Sequence, residues 1–107
     1  MRVLFDQGTP LPIRPFLKGH SVRTAAQEKW DRLRNGELLT AAEQAGFDVF
    51  MTTDKNMKYE QNLTGRRIAI VVLNKQQWPD LQQHVELIAA AVKAAAPGSY
   101  SEIEIPE

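Results

Sequence analysis

Apolar positions fall into short blocks separated by polar turns, and the block lengths alternate between strand and helix. Arg2–Phe5 carries Val3, Leu4 and Phe5 in succession and reads as a short buried strand. Asp6-Gln7-Gly8-Thr9-Pro10 ends it. Prolines at 10, 12 and 15 then crowd the chain, so only a short helix is expected, around Ile13–Lys18, stopped by Gly19. His20–Thr24 is a weak strand, and Ala25–Arg34 is ambiguous, with Trp30 and Leu33 as its apolar anchors. Asn35 is placed as the N-cap of a helix over Gly36–Ala45 that buries Leu38, Leu39, Ala42 and Ala45, with Gly46 as its stop.

The second half follows the same rhythm. Asp48–Thr52 (DVFMT) and Arg67–Leu73 (RIAIVVL) are near-continuous apolar runs, the pattern of central parallel strands covered on both faces. Lys55–Thr64 between them is polar. Trp78-Pro79-Asp80 opens the longest predicted helix, whose stripe is Leu81, Val85, Ile88, Val92 and Ala95. Pro97-Gly98 ends it, and Tyr100–Ile105 alternates as an edge strand. Such alternation predicts right-handed βαβ crossovers and a mainly parallel sheet with helices on both faces. Ligand sites of such sheets lie beyond the carboxyl ends of the strands, where Asp6 and Asp54 stand.

Length and composition narrow the class. The 107 residues, 43% hydrophobic, suit one domain over 1–107. There is no cysteine, hence no disulfide or thiolate chemistry. No apolar run suits a signal peptide or a bilayer span, so a cytoplasmic location and no membrane partner are expected. Thirteen basic residues balance thirteen acidic ones, which excludes a protein held to nucleic acid by net charge alone. Walker, GxGxxG and GxSxG signatures are lacking. His20 and His84 have no metal-ligand spacing, and Trp30 and Trp78 read as packing residues.

The chemistry that remains is carboxylate chemistry. If the strands before Asp6 and Asp54 are neighbours, the two acids share a crevice, and Glu37 opens a helix starting on the same side. Three carboxylates near one point repel unless a cation lies between them, and Mg²⁺ or Mn²⁺ suits an all-oxygen site. Asn35 and Asn56 add neutral oxygens. Lys55, Lys58, Arg66 and Arg67 form the basic cluster nearest a carboxyl end and are the expected phosphate contacts. The bland counterpart is that an Asp after a strand serves a turn or cap, and a Glu in a first helical turn answers the helix dipole.

Three segments resemble the PIN-like proteins, small relatives of the PIN-domain ribonucleases: Val3-Leu4-Phe5-Asp6, Asn35-Gly36-Glu37-Leu38-Leu39 and Phe50-Met51-Thr52-Thr53-Asp54-Lys55. Their order and spacing carry the match, over the first three quarters of the chain. The resemblance implies a three-layer α/β/α Rossmann-like fold and Mg²⁺- or Mn²⁺-dependent RNA cleavage by a metal-activated water. It assigns the catalytic and metal-ligand roles to Asp6, Glu37 and Asp54, and suggests the toxin of a toxin–antitoxin pair with a small antitoxin partner and a homodimer. Relatives open with Asp-Glu-Asn where this chain has Asp6-Gln7-Gly8, and with Asp where it has Asn35. No acid follows Val72-Leu73; Asn74 and Lys75 stand there. With fewer acids, a rearranged pocket supported by Gln7, Asn35, Thr53, Asn56, Tyr59 and Asn62 is one expectation. A metal-free, inactive module that binds a protein or RNA is the alternative. A phosphoacceptor domain ranks third, because paired acids are missing after the first strand.

Overall fold

The computed structural model describes residues 1–60 and 62–106; Gln61, within the polar stretch after the third strand, and Glu107 lie outside the described residues. Among the described residues, five strands form one sheet: β1 (Arg2–Phe5), β2 (Ser21–Thr24), β3 (Val49–Thr52), β4 (Ala69–Leu73) and β5 (Tyr100–Ile103). Their spatial order is β2-β1-β3-β4-β5, and every neighbouring pair is parallel. The sheet is thus wholly parallel, where a mainly parallel one was expected, and its order is one of the two common doubly wound orders. The helices are α1 (Asn35–Gln44), α2 (Met57–Glu60), α3 (Trp78–Leu81) and α4 (Val85–Ala94), with 3-10 turns at Leu11–Phe16 and Gln82–His84.

The apolar runs work because side chains alternate across a strand. Val3 and Phe5, Val49 and Met51, and Ala69, Val71 and Leu73 enter one core with Ile13, Leu17, Leu81, Ile88 and Val92. Leu4, Phe50, Ile70 and Val72 enter a second core with Leu38, Leu39, Ala42, Phe47 and Met57. The first 3-10 turn, α3 and α4 therefore cover one face, and α1 and α2 the other. All residues of β3 and β4 are buried, as runs with no polar alternation require.

The local departures have physical causes. Prolines at the start and inside Leu11–Phe16 restrict it to a 3-10 turn instead of a helix over Ile13–Lys18. Asn35 is the first residue of α1, and Arg34 takes the N-cap position. The predicted long helix from Trp78 is interrupted by the 3-10 turn at Gln82–His84, after which α4 carries Ile88 and Val92 into the core. The four residues of α2, in a stretch read as polar loop, bury only Met57 among their described side chains.

Crossover hand also differs from expectation. The β1-to-β2 connection moves one way along the sheet on the face of the 3-10 turn. The next two move the other way on the face of α1 and α2, which is the same hand. The β4-to-β5 connection continues in that direction, yet α4 lies on the first face. Its hand is opposite to that of the other three, so the crossovers are not uniformly right-handed. Without α3 and α4, the face bearing Phe5, Met51 and Leu73 would be covered only by the proline-rich turn.

Candidate functional site

Connections leave the carboxyl ends of the adjacent strands β1 and β3 toward opposite faces, which opens a crevice between them. Asp6 and Asp54 line it, together with Gly8, Thr53, Lys55, Asn56 and Gln76, around a hollow of about 380 Å³.

Asp6 extends the sheet by one more bond, its N–H donating to the Met51 carbonyl at 2.9 Å. The chain then turns, Thr9 N–H donating to the Asp6 carbonyl at 3.0 Å. The Asp6 carboxylate is held at both oxygens: Oδ1 accepts from Gln7 N–H (2.8 Å) and Oδ2 from the Thr52 hydroxyl (2.9 Å). Gly8 is required by proximity, since a Cβ there would stand 2.8 Å from Thr53 Oγ1. Asp54 is held in a corresponding way. Its Oδ1 accepts from Asn56 N–H (3.0 Å), an Asx turn, and its Oδ2 from the Asn35 side-chain amide (2.9 Å). Thr52 joins the two acids: its hydroxyl donates to Asp6 and accepts from Asp54 N–H at 3.1 Å. Both carboxylates keep acceptor capacity, because each oxygen has two lone pairs and receives one of these bonds.

Buried threonines make this arrangement stable. Thr9, Thr52 and Thr53 are the buried polar residues among those described. Thr9 Oγ1 donates to the Met51 carbonyl at 3.0 Å, and among the described residues no buried side-chain polar atom lacks a partner. That satisfaction is what permits hydroxyls inside an apolar strand end.

The structure gathers some expected site residues and disperses others. Asp6, Asp54, Thr53, Lys55 and Asn56 line the hollow, and Asn35 reaches it through Asp54. Glu37 does not line it; its Oε1 accepts from Arg34 N–H at 3.3 Å, the role of a helix cap. Gln7 donates from its side chain to the Asp31 carbonyl at 3.1 Å. Tyr59 is 78% exposed, and Asn62 accepts from Thr64 N–H within its own turn. Among the described residues, no three His, Cys, Asp or Glu side chains are grouped closely enough to hold an ion together.

The expected basic cluster is divided. Lys55 stays at the hollow and also borders a second one of about 260 Å³, lined with Val72, Asn74, Glu102 and Glu104. Lys58 pairs with Glu102 at 3.1 Å. Arg66 lies along α1, bound to Glu43 Oε1 (2.7 Å), Thr40 Oγ1 and the Gly36 carbonyl. Arg67 lines a third hollow, beside Met1, Asp48 and Pro97, at the amino ends of the strands. Arg66 and Arg67 therefore do not join the Asp6–Asp54 crevice. Their distance follows from their position before β4, whereas Asp54 follows β3.

Missed in the sequence were Thr9, Thr52, Gly8 and Gln76. The available signal was a threonine closing an otherwise apolar strand, which must find a hydrogen-bond partner. Fold and site together define the class: a wholly parallel doubly wound α/β domain, compatible with a Rossmann-like arrangement, with a carboxylate-bearing crevice at its switch point. Comparison with protein-family models, curated proteins and solved structures found no match. No helix among the described residues is long and apolar enough to cross a membrane.

Proposed function

We propose that the chain is a three-layer PIN-like domain that hydrolyses RNA phosphodiesters with a divalent cation held at Asp6 and Asp54. The observation carrying this reading is that the two acids line one hollow and meet at one threonine hydroxyl, which donates to the Asp6 carboxylate and accepts from the Asp54 backbone N–H. Two carboxylates with free lone pairs suit Mg²⁺ or Mn²⁺, because Mg²⁺ commonly takes one or two protein carboxylates and completes its shell with water and substrate phosphate. Such an ion supplies Lewis-acid stabilisation of charge on a phosphoryl oxygen. The chain's own residues fix where that charge is met. Thr52 and Gln7 N–H orient Asp6, Asn56 N–H and the Asn35 amide orient Asp54, and Lys55 stands beside them as a phosphate contact. Glu37 serves the α1 cap in this reading.

The test is cleavage of single-stranded RNA by purified protein with Mn²⁺. Activity in the wild type and its loss in both Asp6→Asn and Asp54→Asn support the proposal. Activity that survives both substitutions would falsify it. A small antitoxin-like partner, a homodimer and a cytoplasmic location belong to the same reading.

A second reading, a metal-free module binding a protein or RNA, is favoured by the Asn35 amide on Asp54, since it supplies a donor where the PIN-like proteins often have another acid. Titration calorimetry separates the two. No heat with Mn²⁺ and no cleavage favour the module; binding abolished in Asp54→Asn favours the nuclease.

A further inference from the structure

The sheet order makes β2 one edge and β5 the other, and the two edges are finished differently. The β2 edge is closed by its own turns. Thr24 N–H donates to Gln27 Oε1 at 2.9 Å, the Thr24 carbonyl accepts from Glu28 N–H at 3.2 Å, and His20 N–H donates to the Leu17 carbonyl at 3.2 Å. The positions on either side of Val22 are therefore engaged. The β5 edge is open. The Ser99 carbonyl accepts from Ile70 N–H at 2.9 Å and the Ile103 carbonyl from Asn74 N–H at 3.3 Å. The alternate residues Tyr100, Glu102 and Glu104 thus turn their N–H and C=O groups away from β4. Among the described residues those groups have no partner. Asn74 lengthens this edge: its Oδ1 accepts from Ile105 N–H at 2.8 Å beyond the last residue of β4, and Ile105 is buried in the first core.

The two faces of the edge differ as well. Ile103 and Ile105 enter the first core, whereas Tyr100 packs on the second and Glu102 and Glu104 stand exposed on that side. Lys58 and the Tyr100 hydroxyl both take Glu102 Oε1, at 3.1 and 3.2 Å. Glu102 Oε2 and the Glu104 carboxylate are left unpaired among the described residues. Both acids line the hollow of about 260 Å³ shared with Lys55, Val72 and Asn74.

We infer that the β5 edge docks an extended segment of a partner protein, added to the sheet as a further strand whose side chains alternate basic with apolar. Three open N–H and C=O pairs supply the backbone bonds of such an addition. On one face the added side chains fall beside Glu102 and Glu104, where opposite charge stabilises and like charge destabilises. On the other face they extend the core of Ile103 and Ile105, which favours apolar groups. A second copy of the chain fits poorly. In the register that uses all three open positions, two β5 edges set Glu102 against Glu102, and the β2 edge is already closed. This docking stands apart from the nuclease reading, since neither Asp6 nor Asp54 takes part in it.

The experiment titrates isotope-labelled protein with a synthetic peptide alternating lysine and valine, followed by amide chemical shifts and hydrogen exchange. Saturable shifts are expected at Tyr100, Glu102 and Glu104, with slowed exchange of those amides and no change at Val22. The same peptide N-methylated at alternate amides cannot donate to the edge and is expected not to bind. Glu104→Lys, an exposed substitution, is expected to weaken the unmodified peptide roughly 2- to 30-fold. A peptide alternating glutamate and valine is expected to bind more weakly than the lysine one. Absence of shifts on β5, equal binding of the N-methylated peptide, or unchanged affinity in Glu104→Lys overturns the docking site. Dimerisation of the free chain that protects the same amides, read by sedimentation and exchange together, also overturns it, because the edge then takes a second copy.

Discussion

Thr52 is fully buried, and its one hydroxyl orients the Asp6 carboxylate while accepting from the Asp54 amide. Thr52→Val keeps the shape and removes both bonds, leaving the part-buried Asp54 amide without this partner. A loss of about 1–3 kcal/mol is expected in urea unfolding. Any Asp6-dependent cleavage should fall with it. Gly8 obeys a steric rule. In Gly8→Ala the new Cβ and Thr53 Oγ1, 2.8 Å apart, must separate. The expected cost is about 1–3 kcal/mol, measured by thermal or denaturant unfolding. An unchanged midpoint would show that Thr53 can turn away freely. Asp6 and Asp54 were recognisable from position alone, as acids after apolar runs. Thr52 was not singled out, because a terminal Thr in an apolar run does not show which neighbour it must satisfy.

The link between α1 and β4 has its own pH dependence. Burial pushes the Glu43 carboxyl up, but the Arg66 guanidinium and the Arg67 and Ile68 amides together outweigh it and hold the group below its ordinary value of 4.5. A carboxyl lowered on folding binds fewer protons in the native state, so its stabilisation is complete above the unfolded value and is lost as pH falls through the native one. The stability difference between wild type and Glu43→Gln should therefore shrink as pH drops below about 4.5. Urea midpoints in a pH series measure it, and a constant difference would refute the assignment. Gly46, beyond the end of α1, has φ of +85°, and a Cβ there would meet the Arg2 guanidinium at 3.2 Å. This helix end was legible because glycine takes the left-handed conformation without penalty. The break at Gln82–His84 was not, since an apolar stripe continues in register through a tight turn.

At the scale of the molecule, one sheet separates two cores, and α4 alone among the longer helices seals the face that the proline-rich turn leaves open. Ile88, fully buried there with Leu81 and Val92, is the sharpest probe of that closure. Ile88→Ala is expected to cost about 2–5 kcal/mol in denaturant unfolding. A loss below about 1 kcal/mol would mean that α4 packs more loosely than its burial indicates. The opposite hand of the last crossover belongs to this scale as well. It places α4 across the sheet from α1, and so the connections after β1 and β3 diverge without either face being left bare.

The sequence by itself determined the strand runs, the α/β class and the position of Asp6 and Asp54 at strand carboxyl ends, because periodicity and apolar run length are local properties of the chain. It also made Gly46 a helix stop, for the same local reason. Only the tertiary structure decided that β1 lies beside β3, that Thr52 joins the two acids, and that Glu37 caps α1 away from the hollow. It likewise sent Arg67 to the opposite end of the sheet and set the Asn35 amide against Asp54. Those relations depend on strand order and on which hydrogen bonds remain to be satisfied after packing. Both are set by contacts between residues distant in the chain, which no local pattern records.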